Sequence, residues 1–138
     1  MESKQPRIIN AIIPLAASVV DLTLYTVEQG AEYELVEARE AHTVAGSDGG
    51  AVTADVVKCT GTQAPSAGAT MLSSTFNLKS TANTPVGKTV GSGLVASQAT
   101  RTVKGGERIC LNVTGTTTAV EGLNLLLVLK RRLAGTNR

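Results

Sequence analysis

The sequence predicts an all-β fold: an antiparallel β-sandwich or jelly-roll-like single domain with an extended N-terminal arm. Three observations carry this. Hydrophobic residues fill 42% of the 138 positions but aromatics only 2%, so a core must be built from Val, Leu, Ile and Ala. Thr, Ser and Gly dominate the remainder, a mixture that favours short strands and turns. About six segments alternate apolar and polar residues with period two, the signature of half-buried strands. The length suits one domain with a proper core. The expected division is an arm over 1–18, the sandwich over 19–132 and a tail over 133–138.

In the arm, MESKQPRIINAIIPLAAS, the cluster Ile8, Ile9, Ile12, Ile13 and Leu15 is spaced to allow one helical turn, although Pro6 and Pro14 bracket it. An extended segment laid against another surface satisfies the same residues. From Val20 the rhythm becomes two, with Val20, Leu22 and Leu24 alternating with Asp21, Thr23 and Tyr25. The next segment, AEYELVEAREAH, reads two ways. Its Glu and Ala content favours helix, whereas Tyr33 and Leu35 alternate with Glu32 and Glu34 before the pattern slips by one. A strand bulged near Leu35 and Val36 accounts for the slip and is preferred.

GSDGG, residues 46–50, is a turn, after which Val52, Ala54 and Val56 share one face. TGTQAPSAGAT is a loop. LSSTFNLK is the cleanest alternation, with Leu72, Ser74, Phe76 and Leu78 inward. A long polar stretch follows, then Ile109, Leu111 and Val113 alternate with Arg108, Cys110 and Asn112. After the turn TGTTTAVEG, the last strand LNLLLVLK puts Leu123, Leu125, Leu127 and Leu129 on one face. Its other face carries Leu126 and Val128, each worth roughly 1.5–3 kcal/mol if buried. The isoleucine arm or a neighbouring subunit is the expected cover.

The chemical motifs are thin. ANTPVGKT fits the relaxed phosphate-loop pattern, but that loop needs a buried strand before it and a helix directly after its Lys. Here two glycines follow, Pro85 removes a donor N–H, and no acidic strand end is available for magnesium. An exposed turn is expected, with Lys88 free to meet an acidic protein surface. His42 is the single His, and with Glu40 it reads as a surface hydrogen bond rather than a catalytic pair. Glu32, Glu34, Glu37 and Glu40 supply carboxylates for glycoside chemistry, yet the aromatic stacking faces of sugar sites are missing. The sequon at Asn112 falls inside a predicted strand.

No signal peptide is visible in residues 1–7, and the apolar run over 8–20 is broken and too short to span a bilayer. A reducing cytosol with free thiols is therefore expected, although Cys59 and Cys110 could bridge if their strands pair. A single His and no Cys-x-x-Cys argue against a zinc site. Charge is uneven: residues 1–55 hold nine acids and three bases, and residues 56–138 two acids and ten bases, within a net +2. Opposed halves suit head-to-tail or surface contact. Lys130, Arg131 and Arg132 lack the aromatic platforms of single-strand binding, so no nucleic-acid partner and no membrane partner is expected.

The run EYELVEAREAHTVAGSDGGAVTADVVKCTGTQAPSAGATMLSSTFNLKSTANT and the ending GGERICLNVTGTTTAVEGLNLLLVLKR together resemble the capsid decoration, or cement, proteins of tailed bacteriophages. The likeness covers about residues 15–132. It rests on the order of strand and turn blocks: a Gly-Ser-Asp-Gly hairpin, a Thr-Gly-Thr loop and a Gly-Gly-Glu-Arg turn. It implies a β-sandwich or jelly-roll-like virion protein, made in the host cytoplasm and seated on the outer capsid surface as a homotrimer. Its partner would be the major capsid protein, and it would stabilise the head against internal DNA pressure, without cofactor or enzymatic activity. No family site residue can be carried over. Burial logic alone nominates Arg7, Ile8, Ile9, Ile12, Ile13, Leu126, Val128 and Lys88 as the subunit or capsid interface. The alternative is a head-fibre or tail-associated module recognising a host glycan. That reading needs exposed aromatic or acidic loops, and Tyr25 and Tyr33 both fall in predicted strands.

Overall fold

A computed structural model describes residues 6–13 and 21–132. Its strands are β1 (Pro6–Ile13), β2 (Asp21–Thr26), β3 (Glu32–Ala41), β4 (Thr53–Cys59), β5 (Ala69–Thr70) and β6 (Phe76–Asn77), then β7 (Val86–Val90), β8 (Gly93–Leu94), β9 (Thr102–Lys104), β10 (Arg108–Thr114) and β11 (Leu123–Arg132). One turn of 3-10 helix spans Pro65–Ala67. Sheet A runs β1-β11-β3-β7-β8, with β9 also on β3, and sheet B runs β2-β10-β4-β5, with β6 also on β4. The two sheets pack face to face as a β-sandwich, as the composition and period-two rhythm predict.

Between the layers lie Leu123, Leu125, Leu127 and Leu129 of β11, Tyr33, Leu35 and Ala38 of β3, Val56 of β4, and Ile109 and Leu111 of β10, all 0–1% exposed. These are the residues that strand alternation points inward. The segment over 31–42 is a strand, and Val36 is its bulge: Glu37 pairs with Val128 and Leu35 with Leu129, leaving Val36 unmatched. The extra residue re-phases the strand, so Tyr33 and Leu35 before it and Ala38 after it all reach the core. Tertiary burial of that face overrides the helical propensity of Glu and Ala. β2 carries a second bulge at Leu24, where Thr23 pairs with Cys110 and Tyr25 with Ile109.

Two sequence expectations are corrected. LSSTFNLK keeps its side-chain pattern, with Leu72, Phe76 and Leu78 buried, but only Phe76 and Asn77 form a strand. Leu72 bridges to Leu94 of sheet A and the Ser73 N–H donates to the Gly93 carbonyl, so the chain leaves sheet B and returns. It closes one open side of the sandwich, and a segment that crosses between layers cannot run a continuous ladder. The polar stretch over 80–107 in turn holds β7, β8 and β9, which complete sheet A against β3. Short strands with few apolar residues leave no period-two signal.

The arm is also re-placed. Residues 6–13 form β1, the edge strand beside β11, in unbroken antiparallel register from Pro6 with Lys130 to Ile13 with Leu123. It lies alongside the final strand rather than over its outer face. Leu15 and residues 14–18 of the expected arm, and the 133–138 tail, fall outside the described residues.

Cys59 and Cys110 are free and buried on neighbouring strands, where with Val57 they form a small second cluster on the outer face of sheet B. The 60–68 segment covers them, held by Arg108 Nη2 donating to the Gln63 carbonyl at 2.6 Å. A Cβ on Gly68 would sit 2.8 Å from Cys59 Sγ, so the covering turn approaches as only glycine allows. Burial, and then the adjacent Cys110 thiol, push the Cys59 thiol up to about 11. Because both side chains are buried, the native protein should leave both thiols unmodified by a thiol-reactive dye at neutral pH and release both in denaturant. Fast labelling of the folded chain would show that the 60–68 cover opens.

Candidate functional site

Alternation along β1 sorts the isoleucines by parity. Ile9, Ala11 and Ile13 face the core, while Ile8, Asn10 and Ile12 face outward. The spacing i, i+4 that suggested a helical turn is also an even spacing, which keeps residues on one side of a strand. On the outer face of sheet A, directly paired residues form three rows: Ile8, Val128, Glu37 and Thr89; Asn10, Leu126, Arg39 and Gly87; Ile12, Asn124 and Ala41.

Ile8 is 62% and Ile12 79% exposed, and Leu126 and Val128 beside them are half-buried. The arm therefore adds apolar surface to this face instead of removing it. Four of its polar members are paired among themselves. Asn124 Nδ2 donates to Asn10 Oδ1 at 2.7 Å and to the Ala11 carbonyl at 3.2 Å. Arg39 Nη1 donates to Glu37 Oε2 at 3.1 Å. Gly87 lies under the Arg39 side chain, which a Cβ there would meet at 3.7 Å. A shallow depression of about 150 Å³ is lined by Arg39, Glu40, Ala41, Pro85, Asn124 and Leu126. A contiguous apolar stripe with a satisfied polar surround is the composition of a protein-docking face.

The nominated residues thus separate. Ile8, Ile12, Leu126 and Val128 come together, and Ile9 and Ile13 turn inward. Arg7 sits at one end of the sandwich, where its guanidinium lies 5.7 Å from the Tyr25 ring centre and 5.6 Å from that of Tyr33, and Nη2 meets Glu28 at 3.2 Å. It ties β1 of one sheet to β2 of the other. Tyr33 is 1% exposed, and Tyr25 donates to Glu28, so neither ring is a free stacking platform.

Lys88 is corrected outright. It lies within β7, not on an exposed turn, with Nζ donating to Ser74 Oγ at 3.0 Å and lying 5.0 Å from the Phe76 ring centre. The strand parity that turns Gly87 and Thr89 outward turns Lys88 in, where its stem covers apolar surface and its head finds a hydroxyl and a π-face. No helix follows it, and the phosphate-loop geometry is absent there.

Sequence reasoning missed Asn10, Asn124, Glu37 and Arg39, whose place on the face follows from strand register. It also misplaced His42, which is 1% exposed. His42 Nδ1 lies 2.6 Å from Glu40 Oε2, and Nε2 donates to the Ser80 carbonyl at 3.0 Å. The ring is enclosed, with a partner on each nitrogen. Arg132 is similarly occupied, 3.3 Å from Glu32 and 2.9 Å from Glu34. Among the described residues, no group of three or more His, Cys, Asp or Glu converges to hold a metal. No known protein family matches the chain, and neither does any curated protein or solved structure.

Proposed function

We propose that this chain is a structural virion protein of the capsid-decoration type, which docks on the outer surface of a phage head through the outer face of sheet A. The observation that supports the reading is the exposed pair Ile8 and Ile12 standing beside half-buried Leu126 and Val128. Burying such side chains contributes roughly 1.5–3 kcal/mol each before the costs of association. Many copies acting together would strengthen a shell with no chemistry at all. The enclosed His42 and the inward Lys88 weigh in the same direction, because the groups best suited to catalysis are engaged in packing. The major capsid protein is the proposed partner.

Undecorated heads should rupture at a lower temperature than heads saturated with the protein, and equal rupture temperatures would sink the proposal. Ile8→Lys and Ile12→Lys sharpen it. Both positions are exposed, so stability should change by only about 0.5 kcal/mol. Head binding, read by co-sedimentation, should fall by about tenfold or more for each, since a buried lysine charge costs more than the lost apolar contact. Undiminished binding of the double variant would place the docking surface elsewhere.

A further inference from the structure

β-Sheet edges expose unpaired N–H and C=O groups, and proteins blunt them with bulges, charge or short strands. Three of the edges here are blunted. β2 carries the bulge at Leu24, β5 and β6 are two residues long, and the far side of sheet A ends in β8 and β9, of two and three residues. β1 carries only a leading Pro6 and one charge, Arg7, at its start. Its eight residues run without a bulge, contain no Lys, Asp or Glu, and are paired on one side only among the described residues. They also carry the two most exposed large apolar side chains described, Ile12 at 79% and Ile8 at 62%.

We propose that β1 is a self-association edge, on which two copies of this chain pair β1 with β1, antiparallel, about a two-fold axis through Asn10. The sequence PRIINAII is self-complementary in that register. Ile8 faces the partner's Ile12, Asn10 faces the partner's Asn10, and Ile9 faces the partner's Ala11. The one charge on the strand, Arg7, falls opposite the partner's Ile13, so no like charges meet. Centring the pair one residue to either side sets an exposed isoleucine against Asn10 instead. A two-fold pairing is closed, which limits growth through this edge to a dimer, in place of the homotrimer that the resemblance implies. The resulting sheet merges the two apolar patches into one face, which would raise avidity for a repetitive surface.

An eight-residue edge about 27 Å long and one sheet layer, about 10 Å, thick offers on the order of 270 Å² per copy, short of the roughly 1,200 Å² total at the low end of standard interfaces. The dimer is thus reversible, and covalent capture is the suitable readout. Directly opposed residues in an antiparallel pair have Cα atoms about 4.5 or 5.5 Å apart, within the span a disulfide accepts. Since both native thiols are buried, a single cysteine introduced at exposed Asn10 reports alone. Under mild oxidation, full-length Asn10→Cys should form a covalent dimer about tenfold faster than Val90→Cys, which is 50% exposed on a different strand of the same sheet. An equimolar mixture of Ile8→Cys and Ile12→Cys should give mostly the mixed dimer, as antiparallel pairing requires. Equal capture rates for Asn10→Cys and Val90→Cys would overturn the proposal. So would Ile8→Cys joining to itself as readily as to Ile12→Cys. The experiment contains no capsid, so its failure and the failure of head docking are separate results.

Discussion

Glu34→Ala should destabilise the fold by about 3–5 kcal/mol, because it strands buried guanidinium charge without its carboxylate. Glu34 Oε2 accepts from Arg101 Nη1 at 2.7 Å, and Oε1 accepts from Arg132 Nη1 and Gln98 Nε2, each at 2.9 Å. The side chains of Arg101 and Glu34 are 4% and 12% exposed. Arg101 also donates to the Val95 and Leu35 carbonyls, at 2.8 and 3.0 Å. This one carboxylate therefore ties β3 to the end of β11 and to the 95–101 segment. Burial pushes the Glu34 pKa up, but the hydrogen bonds from Arg101, Gln98 and Arg132 outweigh it and hold the group below the usual carboxylate range. A depressed folded pKa contributes stability above the unfolded value, which is lost as pH falls through the folded one. Urea unfolding of Glu34→Ala should show the large loss at neutral pH, with the gap to wild type narrowing in acid. A loss below about 1 kcal/mol at neutral pH would mean the network is solvated like an ordinary surface pair.

His42→Leu should cost a similar amount, about 3–5 kcal/mol near neutral pH, with a different dependence on pH. Burial lowers the His42 pKa, but the Ser80 carbonyl and the Glu40 carboxylate together raise it above its ordinary 6.5. Burial raises the pKa of Glu40 against the opposing pull of His42. Glu40 and the ring thus share a proton that the unfolded chain releases near 6.5. The folded state binds more protons above that value, so wild-type stability should fall as pH rises through the folded pKa of the pair. Without the ring, Glu40 can be buried only as the neutral acid, and the cost of His42→Leu should grow as pH rises through the Glu40 pKa. The double variant Glu40→Leu/His42→Leu removes both charges and should recover much of the loss. Thermal unfolding from about pH 4 to about pH 9 tests both statements, since the Glu40 effect sets in above its ordinary value of 4.5 and the His42 effect above 6.5. A wild-type slope that survives unchanged in the double variant would assign it to other groups.

The parts of the fold legible in the sequence are those in which one strand's own alternation decides its faces. Leu123, Leu125, Leu127 and Leu129 could be assigned inward from spacing alone, as could Val52, Ala54 and Val56, and the slip at Val36 was visible as a bulge. LSSTFNLK shows the limit. Its inward residues are inward, but alternation is silent about which sheet a strand joins or whether it crosses between two. The polar strands β7 and β9 were invisible because their pairing comes from β3, whose open edge supplies the ladder.

The candidate site divides in the same way. Leu126 and Val128 stood out as a second apolar face on the last strand, and that much is local. Whether the arm covers that face or extends it depends on β1 taking the edge beside β11, which no spacing within the arm encodes. Likewise Lys88, Glu40 and His42 look like surface groups by residue type, and only their neighbours in space put them inside. By itself, then, the sequence determined the all-β class, the strand rhythm and most of the apolar core, because side-chain direction along a strand repeats every two residues. The tertiary structure alone decided the sheet order, the exposed isoleucines of β1 and the enclosed Glu40–His42 pair. Hydrogen-bonded strand partners lie far apart in the chain, and it is the partner that decides which faces and edges remain free.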